Sequence, residues 1–221
     1  MSMAFSFDRP SGSPTFRILT VCTGNICRSP LAEQYLRAGL SSAGVSDVIV
    51  ESAGTMAQDG QAMPRQALNL ARTYGVADAE AHGARYLFEG HVAGADLVLA
   101  MGRDHRRAVV SLFPRASRYA FTLREFARLA QDMTADDLAG AASLESANVA
   151  GRLRAAVAAV AARRGLVAPV AEVVDDDIVD PYKLDDAVFA ESGRQLVPAA
   201  DVVVKLLAAA MSIRSDDRAS H

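Results

Sequence analysis

The stretch FRILTVCTGNICRSP, residues 16–30, joins two kinds of secondary structure through a short polar loop. Residues 16–21 are apolar and rich in β-branched side chains, which predicts a buried strand. Pro30 suits the first turn of a helix, and apolar residues recur after it at helical spacing, at Leu31, Tyr35, Leu36 and Leu40. The strand therefore delivers Cys22 into a loop that opens directly onto the N-terminus of a helix.

The following part of the chain repeats this order of strand and helix. Further strands are predicted at residues 48–50, 96–101 and 119–121, and helices at residues 64–74, 103–113 and 123–129. Strands that alternate with helices pair in parallel, so the sequence predicts an α/β fold. We expect a three-layer sandwich, in which helices cover both faces of a central, mainly four-stranded parallel sheet.

Two later segments have a different character. Residues 132–169 are rich in Ala and contain no aromatic residue, and their apolar spacing predicts a helix over about residues 144–164. Residues 185–213 predict a second long helix, which Pro198 kinks or splits. We therefore expect one domain over residues 15–213 with a helical insertion at about 132–169, between a disordered leader (1–14) and a disordered tail (214–221).

The composition excludes several classes of function. The 221 residues are 51% hydrophobic, with 23 basic and 26 acidic side chains and a net charge of −3. This balance gives no basic surface for nucleic acid or for an anionic membrane. No apolar run is long and uncharged enough to predict membrane insertion, and residues 1–14 lack the pattern of a secretory signal. The sequence predicts a soluble cytoplasmic protein.

The only two cysteines, Cys22 and Cys27, lie in the loop of residues 22–29. A single disulfide within one short loop cannot stabilise the fold of a chain of this length, so a disulfide scaffold is excluded. Two ligands are also too few for a Cys-only zinc site. Taken alone, each cysteine is either a small buried core residue or a reactive thiol.

The neighbours of Cys22 favour the reactive thiol. Gly24 and Asn25 tolerate left-handed backbone angles, so the amides of this loop can converge on an anion at the positive end of the helix dipole. Arg28 can donate two parallel hydrogen bonds to a tetrahedral dianion. The same positive surroundings favour the thiolate of Cys22, and the Ser29 hydroxyl can stabilise that thiolate. A thiolate at the floor of a phosphate cradle is placed to attack phosphorus.

This loop closely resembles the phosphate loop of low-molecular-weight protein tyrosine phosphatases. Four further segments resemble motifs of the same family in the same order: Ser52-Ala53-Gly54-Thr55, His82-Gly83-Ala84-Arg85, residues 95–101, and Asp180-Pro181-Tyr182. The resemblance spans roughly residues 15–131 and 173–213. It implies the three-layer α/β fold described above and hydrolysis of a phosphomonoester, most of all phosphotyrosine in a protein.

The resemblance also implies roles for individual residues. Cys22 would be the nucleophile, Arg28 the phosphate ligand and Asp180 the general acid and base. The substrate-binding set would be Thr23, Gly24, Asn25, Ile26, Cys27, Arg28, Ser29 and Tyr182, and the residues that support the loop would be Asn25, Ser29, Ser52 and His82. Cys27 would be a second thiol able to trap oxidised Cys22 as a disulfide, although simple packing in the loop is an equal alternative. No metal or cofactor is implied, because Arg28 and the loop amides already meet the charge of the phosphate.

Some assignments have competitors. Asp175, Asp176 and Asp177 are alternative acids near Asp180, but only Asp180 is followed by Pro and Tyr. His91 and His105 are expected to be surface or core residues without a catalytic role. The chain departs from the family pattern at Gln58 and Lys183, where many relatives have apolar or aromatic residues, and in the insertion, which is suited to covering the cleft, binding a partner or mediating oligomerisation.

Two other functions stay open at this stage. The first is arsenate reduction on the same loop, although no cysteine follows Cys27 to support the thioredoxin-coupled form of that reaction. The second is a phosphate-binding or phosphopeptide-binding module without catalysis. The expected partners are a phosphotyrosine protein or another phosphomonoester as substrate and inorganic phosphate as product, with no nucleic acid and no membrane insertion.

Overall fold

The computed structural model describes residues 14–214, and the chain builds a parallel sheet of four strands there. The strands are β1 (Phe16–Cys22), β2 (Val48–Gly54), β3 (Leu97–Ala100) and β4 (Ala120–Thr122), in the spatial order β2-β1-β3-β4. The predicted α/β class and the parallel four-stranded sheet are confirmed. Of the predicted leader and tail, residues 1–13 and 215–221 lie outside the described residues.

Helices lie on both sides of this sheet. Their bounds are α1 (Arg28–Ser42), α2 (Arg65–Thr73), α3 (Glu89–Gly94), α4 (Arg103–Leu112), α5 (Leu123–Ala130), α6 (Ala139–Ala142), α7 (Val149–Ala162) and α8 (Asp186–Ser212). Short 3₁₀ turns at Ala79–Ala81, Pro114–Arg118, Asp136–Leu138 and Val173–Asp176 complete the regular structure of residues 14–214.

The strands are buried on both faces because side chains alternate between two apolar layers. In β1, Ile18 belongs to the larger core, formed with α1, α2, α5, α7 and α8, whereas Leu19 and Val21 belong to the smaller core beneath α3 and α4. Strands covered on both faces read as continuous apolar runs, and this is the pattern that the sequence shows.

The strand order fixes where a ligand can bind. From β1 the chain crosses to β2 on one side, and it later returns to β3 on the other side. The loops that leave the carboxyl ends of β1 and its neighbours therefore separate and open a crevice above β1. Cys22 ends β1 at this crevice.

The segment predicted as a helical insertion packs into the larger core. Leu153, Val157 and Val160 of α7 are buried in the same cluster as residues of β1 and α8. The helix begins later than predicted, because the Asn148 side chain caps it by accepting a hydrogen bond from the Gly151 amide at 3.0 Å. The insertion bounds and its suggested role in oligomerisation stay predictions.

Of the two effects predicted for Pro198, a split is excluded, since α8 runs continuously from Asp186 to Ser212, whereas a kink stays a prediction. Pro198 and Arg194, whose carbonyl loses its usual donor, both lie on the exposed side, where water can replace the missing N–H. By length and apolar composition alone α8 is also a candidate membrane span, but 44% of its most apolar window is buried, and a core helix of a soluble protein passes the same test.

Arg152 on α7 holds the C-terminal end of α8. Its side chain is 2% exposed and donates to the carbonyls of Ala210 at 2.9 Å and Leu144 at 3.2 Å, and also to the carbonyl of Ile213. Helix C-termini leave their last carbonyls without internal donors, so these bonds satisfy groups that would otherwise be buried and unpaired.

We predict that Arg152→Met lowers the free energy of unfolding by about 2–3 kcal/mol, because apolar replacement removes the donor of one buried carbonyl, Ala210, and of the part-buried carbonyls of Leu144 and Ile213. Urea unfolding measures this change. Arg107→Met is the matched control, because within residues 14–214 Arg107 pairs only with the exposed Asp104, and its effect should stay within about 0.5 kcal/mol. Equal effects of the two substitutions would contradict the capping role.

Candidate active site

Four segments meet at the carboxyl edge of the sheet. They are the anion loop (residues 22–29), the turn after β2 (residues 54–58), the turn after β3 (residues 101–105) and the acid loop (residues 177–182). The four contribute residues to two adjoining cavities of about 570 and 270 Å³, which share Thr23, Arg28 and Asp180. A separate cavity of about 950 Å³ between α5 and α8 contains none of the predicted site residues.

The anion loop keeps its amides free. Within residues 14–214, no acceptor is recorded for the backbone N–H groups of residues 24–27. Asn25 has a left-handed backbone with φ = 53°, so the loop turns sharply at this residue. The loop lies directly before the N-terminus of α1. Consecutive amides in such a turn form a concave anion site, reinforced by the helix dipole.

Side chains behind the loop fix this backbone. The Asn25 amide group donates to Ser29 Oγ at 2.9 Å and to Ser52 Oγ at 2.8 Å, and its Oδ1 accepts from the Arg85 amide at 2.8 Å. His82 Nε2 donates to the Asn25 carbonyl at 2.7 Å. The four residues predicted to support the loop thus lie in one hydrogen-bonded cluster.

Glu33 also belongs to this cluster, although the sequence analysis did not select it. Its carboxylate accepts a hydrogen bond from Ser52 Oγ at 2.5 Å and pairs with Arg37. A signal was present in the sequence, because Glu33 stands at helical spacing before Leu36 and Leu40 and so faces the core. A buried carboxylate at such a position requires partners.

Cys22 lies at the floor of the smaller cavity. It is 2% exposed, and its Sγ is 3.0 Å from Ser29 Oγ. Cys27 lines the same cavity, and burial, with a further contribution from the nearby Cys22, raises the pKa of Cys27 to about 12. Cys27 is therefore a neutral thiol at neutral pH.

Arg28 connects the anion loop with the acid loop. Its guanidinium donates to the Ile178 carbonyl at 3.0 Å through Nη1 and pairs with Asp180 Oδ2 at 2.5 Å through Nη2. Among the described residues no acceptor lies against Nε of Arg28. One buried N–H of this arginine is therefore left without a partner within residues 14–214.

The four aspartates of the acid loop region have different surroundings. Asp176 pairs with Arg128 at 2.8 Å, Asp177 pairs with Arg103 at 3.1 Å, and Asp175 Oδ2 accepts from the Glu172 amide at 3.2 Å. Only Asp180 lines the same small cavity as Cys22, with its side chain 49% exposed. The geometry therefore favours Asp180 over the alternative acids.

The walls of the small cavity combine loop residues with longer side chains from outside the loop. Thr23, Gly24, Ile26, Cys27, Arg28 and Tyr182, all predicted to bind substrate, line it together with Met56, Gln58 and Gln61. Asn25 and Ser29, predicted to bind substrate as well, are fully buried behind the wall. Lys183 does not line this cavity, and its Nζ lies 5.2 Å from the centre of the Tyr182 ring. Met56, which is largely exposed, supplies an apolar edge that the sequence analysis missed.

His105, which the sequence predicts to be a surface or core residue, contacts the anion loop. Its Nε2 is hydrogen-bonded to Thr23 Oγ1 at 2.9 Å, so the turn after β3 supports the anion loop. Burial, and secondly the charge of Arg28, lowers the pKa of His105 to about 4. The sequence gives no local signal for this contact, because 82 positions separate the partners.

Comparison with known proteins was made at the level of both sequence and structure. A family model described as low molecular weight phosphotyrosine protein phosphatase matches residues 17–143. A protein-arginine-phosphatase of Geobacillus stearothermophilus is 36% identical over 125 residues, which cover 57% of this chain and 80% of the relative. A low molecular weight protein-tyrosine-phosphatase of Streptomyces coelicolor is 40% identical over 104 residues, covering 45% of this chain and 61% of the relative.

Solved structures show the same fold. The low molecular weight protein tyrosine phosphatase from T. tengcongensis superposes with a TM-score of 0.60 and 29% identity, over 86% of this chain and 99% of the other. The YwlE arginine phosphatase from Geobacillus stearothermophilus gives a TM-score of 0.57 and 26% identity, over 86% of this chain and 91% of the other.

Gly54 provides a test of the anion loop. A Cβ at this position would lie 2.5 Å from the Thr23 carbonyl and 2.8 Å from the Asn25 amide, so the loop must move to accept one. We predict that Gly54→Ala weakens the binding of inorganic phosphate at least about tenfold, as measured by calorimetric titration, since the amides then no longer converge. Gly94→Ala, where a Cβ meets nothing within 4 Å, should bind phosphate like the wild type.

His105 gives the chain a pH-dependent contribution to stability. Because its pKa is depressed in the folded state, the unfolded chain binds more protons between about pH 6.5 and 4, and stability falls as the pH is lowered through that range. We predict that His105→Gln, which retains a donor for Thr23 but does not titrate, loses less unfolding free energy between pH 7 and pH 4.5 than the wild type. Identical losses in urea titrations would show that His105 does not carry this effect.

Proposed function

This chain belongs to the low molecular weight phosphotyrosine protein phosphatase family, and we propose that it hydrolyses phosphotyrosine in proteins through a phosphocysteine intermediate. One observation carries the proposal. Cys22 Sγ lies at the floor of a cavity of about 270 Å³ whose walls hold the guanidinium of Arg28 and the carboxylate of Asp180, beside the unpaired amides of the anion loop. Thiolate, anion ligands and proton donor are the groups that phosphoryl transfer to cysteine requires.

In the first step the phosphate of the substrate enters the anion loop. Its oxygens accept hydrogen bonds from the amides of residues 24–27 and from Arg28, and they replace the Asp180 carboxylate on the guanidinium. The Cys22 thiolate then forms the S–P bond while the bond from phosphorus to the phenolic oxygen breaks. Once displaced from Arg28, the Asp180 carboxylate takes up a proton from solvent and transfers it to the departing oxygen, so that tyrosine leaves as a neutral phenol.

In the second step water hydrolyses the phosphocysteine. Asp180, now a carboxylate, takes a proton from the water as its oxygen attacks phosphorus. The S–P bond breaks, inorganic phosphate forms, and the Ser29 hydroxyl 3.0 Å away stabilises the returning thiolate of Cys22. No metal or cofactor enters either step.

The mouth of the cavity supports an aryl substrate. Met56 and Tyr182 are exposed and present apolar surface at the cavity, which the buried Ile26 also lines, and this suits the flat ring of a tyrosine side chain. Gln58 adds an amide where an apolar wall was expected, and it can donate to or accept from the protein backbone of a substrate.

Phosphoarginine is the second candidate substrate, because the protein-arginine-phosphatases of Geobacillus stearothermophilus and Bacillus subtilis are 36% and 35% identical to this chain. The guanidinium of a phosphoarginine substrate would be stabilised by carboxylates near it. Asp180 is the single carboxylate among the residues that line the cavity of about 270 Å³. Because Asp180 already serves as proton donor, the lining favours phosphotyrosine.

The cellular setting follows from composition and relatives. We place the enzyme in the cytoplasm of a bacterium, since both cysteines are free thiols, the relatives named above are bacterial, and an Arg-rich chain with only two Lys suits a GC-rich genome. The acidic net charge gives no support for a nucleic-acid partner. The surface of the 132–169 segment is the candidate site for self-association.

We predict that the wild type hydrolyses a phosphotyrosine peptide and that Cys22→Ser lowers kcat/KM by at least about 10³-fold, because a neutral hydroxyl replaces the thiolate. Phosphate release measures the rate, and a phosphoarginine peptide assayed beside it ranks the two substrates. Cys27→Ser is the matched control, since its neutral thiol contributes no nucleophile and the variant should remain well above Cys22→Ser.

Several results would contradict the proposal. Equal rates for the wild type and Cys22→Ser would show that Cys22 is not the nucleophile. Tight phosphopeptide binding without turnover at any pH would favour the binding module, and arsenate-dependent thiol oxidation would favour the reductase. A faster reaction with the phosphoarginine peptide than with the phosphotyrosine peptide would show that phosphoarginine is the preferred substrate. The mechanism through phosphocysteine would still apply.

A further inference from the structure

The acid loop is anchored immediately before Asp180. Asp177 Oδ1 accepts a hydrogen bond from the Arg103 amide at 2.7 Å, and its Oδ2 pairs with the Arg103 guanidinium at 3.1 Å. The Asp177 carbonyl accepts from Arg124 at 3.0 Å. The amides of the next two residues are also held, Ile178 by the Met101 carbonyl at 2.9 Å and Val179 by Gln195 Oε1 at 2.9 Å.

Asp180 itself has a different kind of restraint. Its carboxylate is held by the ion pair with Arg28, together with a local bond from the Tyr182 amide at 3.2 Å. A phosphate bound by Arg28 replaces the ion pair. In the substrate complex the position of Asp180 therefore depends on the contacts between Asp177, three residues earlier in the chain, and Arg103. We call these contacts the anchor.

The anchor is connected to the strand that carries the nucleophile. The amide of Met101 donates to the Val21 carbonyl at 2.7 Å, one residue before Cys22, while the Met101 carbonyl holds Ile178. Gly102 allows the close approach, because a Cβ there would lie 3.3 Å from Asp177 Oδ1. The turn after β3 thus sets the separation between Cys22 and the acid loop.

From these contacts we propose that Asp177 is a positioning residue, which acts through Arg103 to hold Asp180 over the departing oxygen of the substrate. This rests on the proposed phosphatase function and assigns a role to a residue that the sequence offered only as an alternative acid. Asp177 is engaged by Arg103 in two places, so it is suited to holding the loop rather than to transferring a proton.

The proposal makes a specific kinetic prediction. A tyrosine-like phenolate is a poor leaving group and needs the proton from Asp180, whereas 2,4-dinitrophenolate leaves without one. A displaced Asp180 therefore slows cleavage of phenyl phosphate much more than cleavage of 2,4-dinitrophenyl phosphate. A general loosening of the site slows both substrates by the same factor.

The test compares kcat/KM of Asp177→Asn for these two substrates, since kcat/KM reports the steps through the first P–O cleavage. We expect a loss of about 10–50-fold with phenyl phosphate and less than about 3-fold with 2,4-dinitrophenyl phosphate. Asp180→Asn gives the full size of the leaving-group effect. Asp136→Asn, the same change of charge at an exposed position outside the four segments of the site, should leave both rates near those of the wild type.

Arg103→Gln provides a second variant for the same contact, and the double variant with Asp177→Asn should be no slower than the worse single one. Thermal unfolding of each variant checks that it is folded. Equal losses with both substrates, or no loss with either, in a folded Asp177→Asn enzyme would overturn the positioning role. Absence of hydrolysis by the wild type would instead overturn the proposed function, so the two failures are distinguishable.

Discussion

The active site depends on holding several backbone amides inside the protein without giving them internal acceptors. Within the described chain, the N–H groups of residues 24–27 have none. A buried donor left unpaired costs about 1–3 kcal/mol, so this arrangement is stable only if the loop cannot relax toward other partners. The buried hydrogen bonds of Asn25, Ser29, Ser52 and His82 prevent that relaxation, and Glu33 extends the same cluster into α1.

The sheet topology supplies the rest of the arrangement. Because β1 lies between β2 and β3, the turns after both neighbours reach the anion loop from opposite sides. The turn after β2 brings Gly54 against the loop backbone, and the turn after β3 brings His105 to Thr23 and Arg103 to Asp177. The proposed nucleophile, the residues that support the loop and the proposed proton donor therefore share one frame, although more than 150 residues separate Cys22 from Asp180 in the chain.

Features encoded by neighbouring residues were predictable from the sequence. The strand-loop-helix unit of residues 16–30, the parallel α/β class and the cleft around Cys22 follow from local periodicity and from the family resemblance. Features that arise from packing were not. His105 and Asp177 acquire their surroundings from partners 82 and 74 positions away, and no local pattern encodes such contacts. Packing also explains why Pro198 does not split the last helix, since burial of α8 against α1 and α5 outweighs one missing hydrogen bond on the exposed side.

The ion pair between Arg28 and Asp180 has a consequence for the end of the catalytic cycle. In the resting protein the guanidinium already holds a carboxylate, so a phosphate group binds by exchange with it and does not fill an empty positive site. Because Asp180 lies on a loop that is held next to Arg28, its carboxylate has a high effective concentration there. When hydrolysis is complete and Asp180 has released to solvent the proton that it took from the attacking water, its carboxylate competes with inorganic phosphate for the same nitrogen. In the proposed cycle the protein therefore supplies its own anion, which competes with the product phosphate for Arg28.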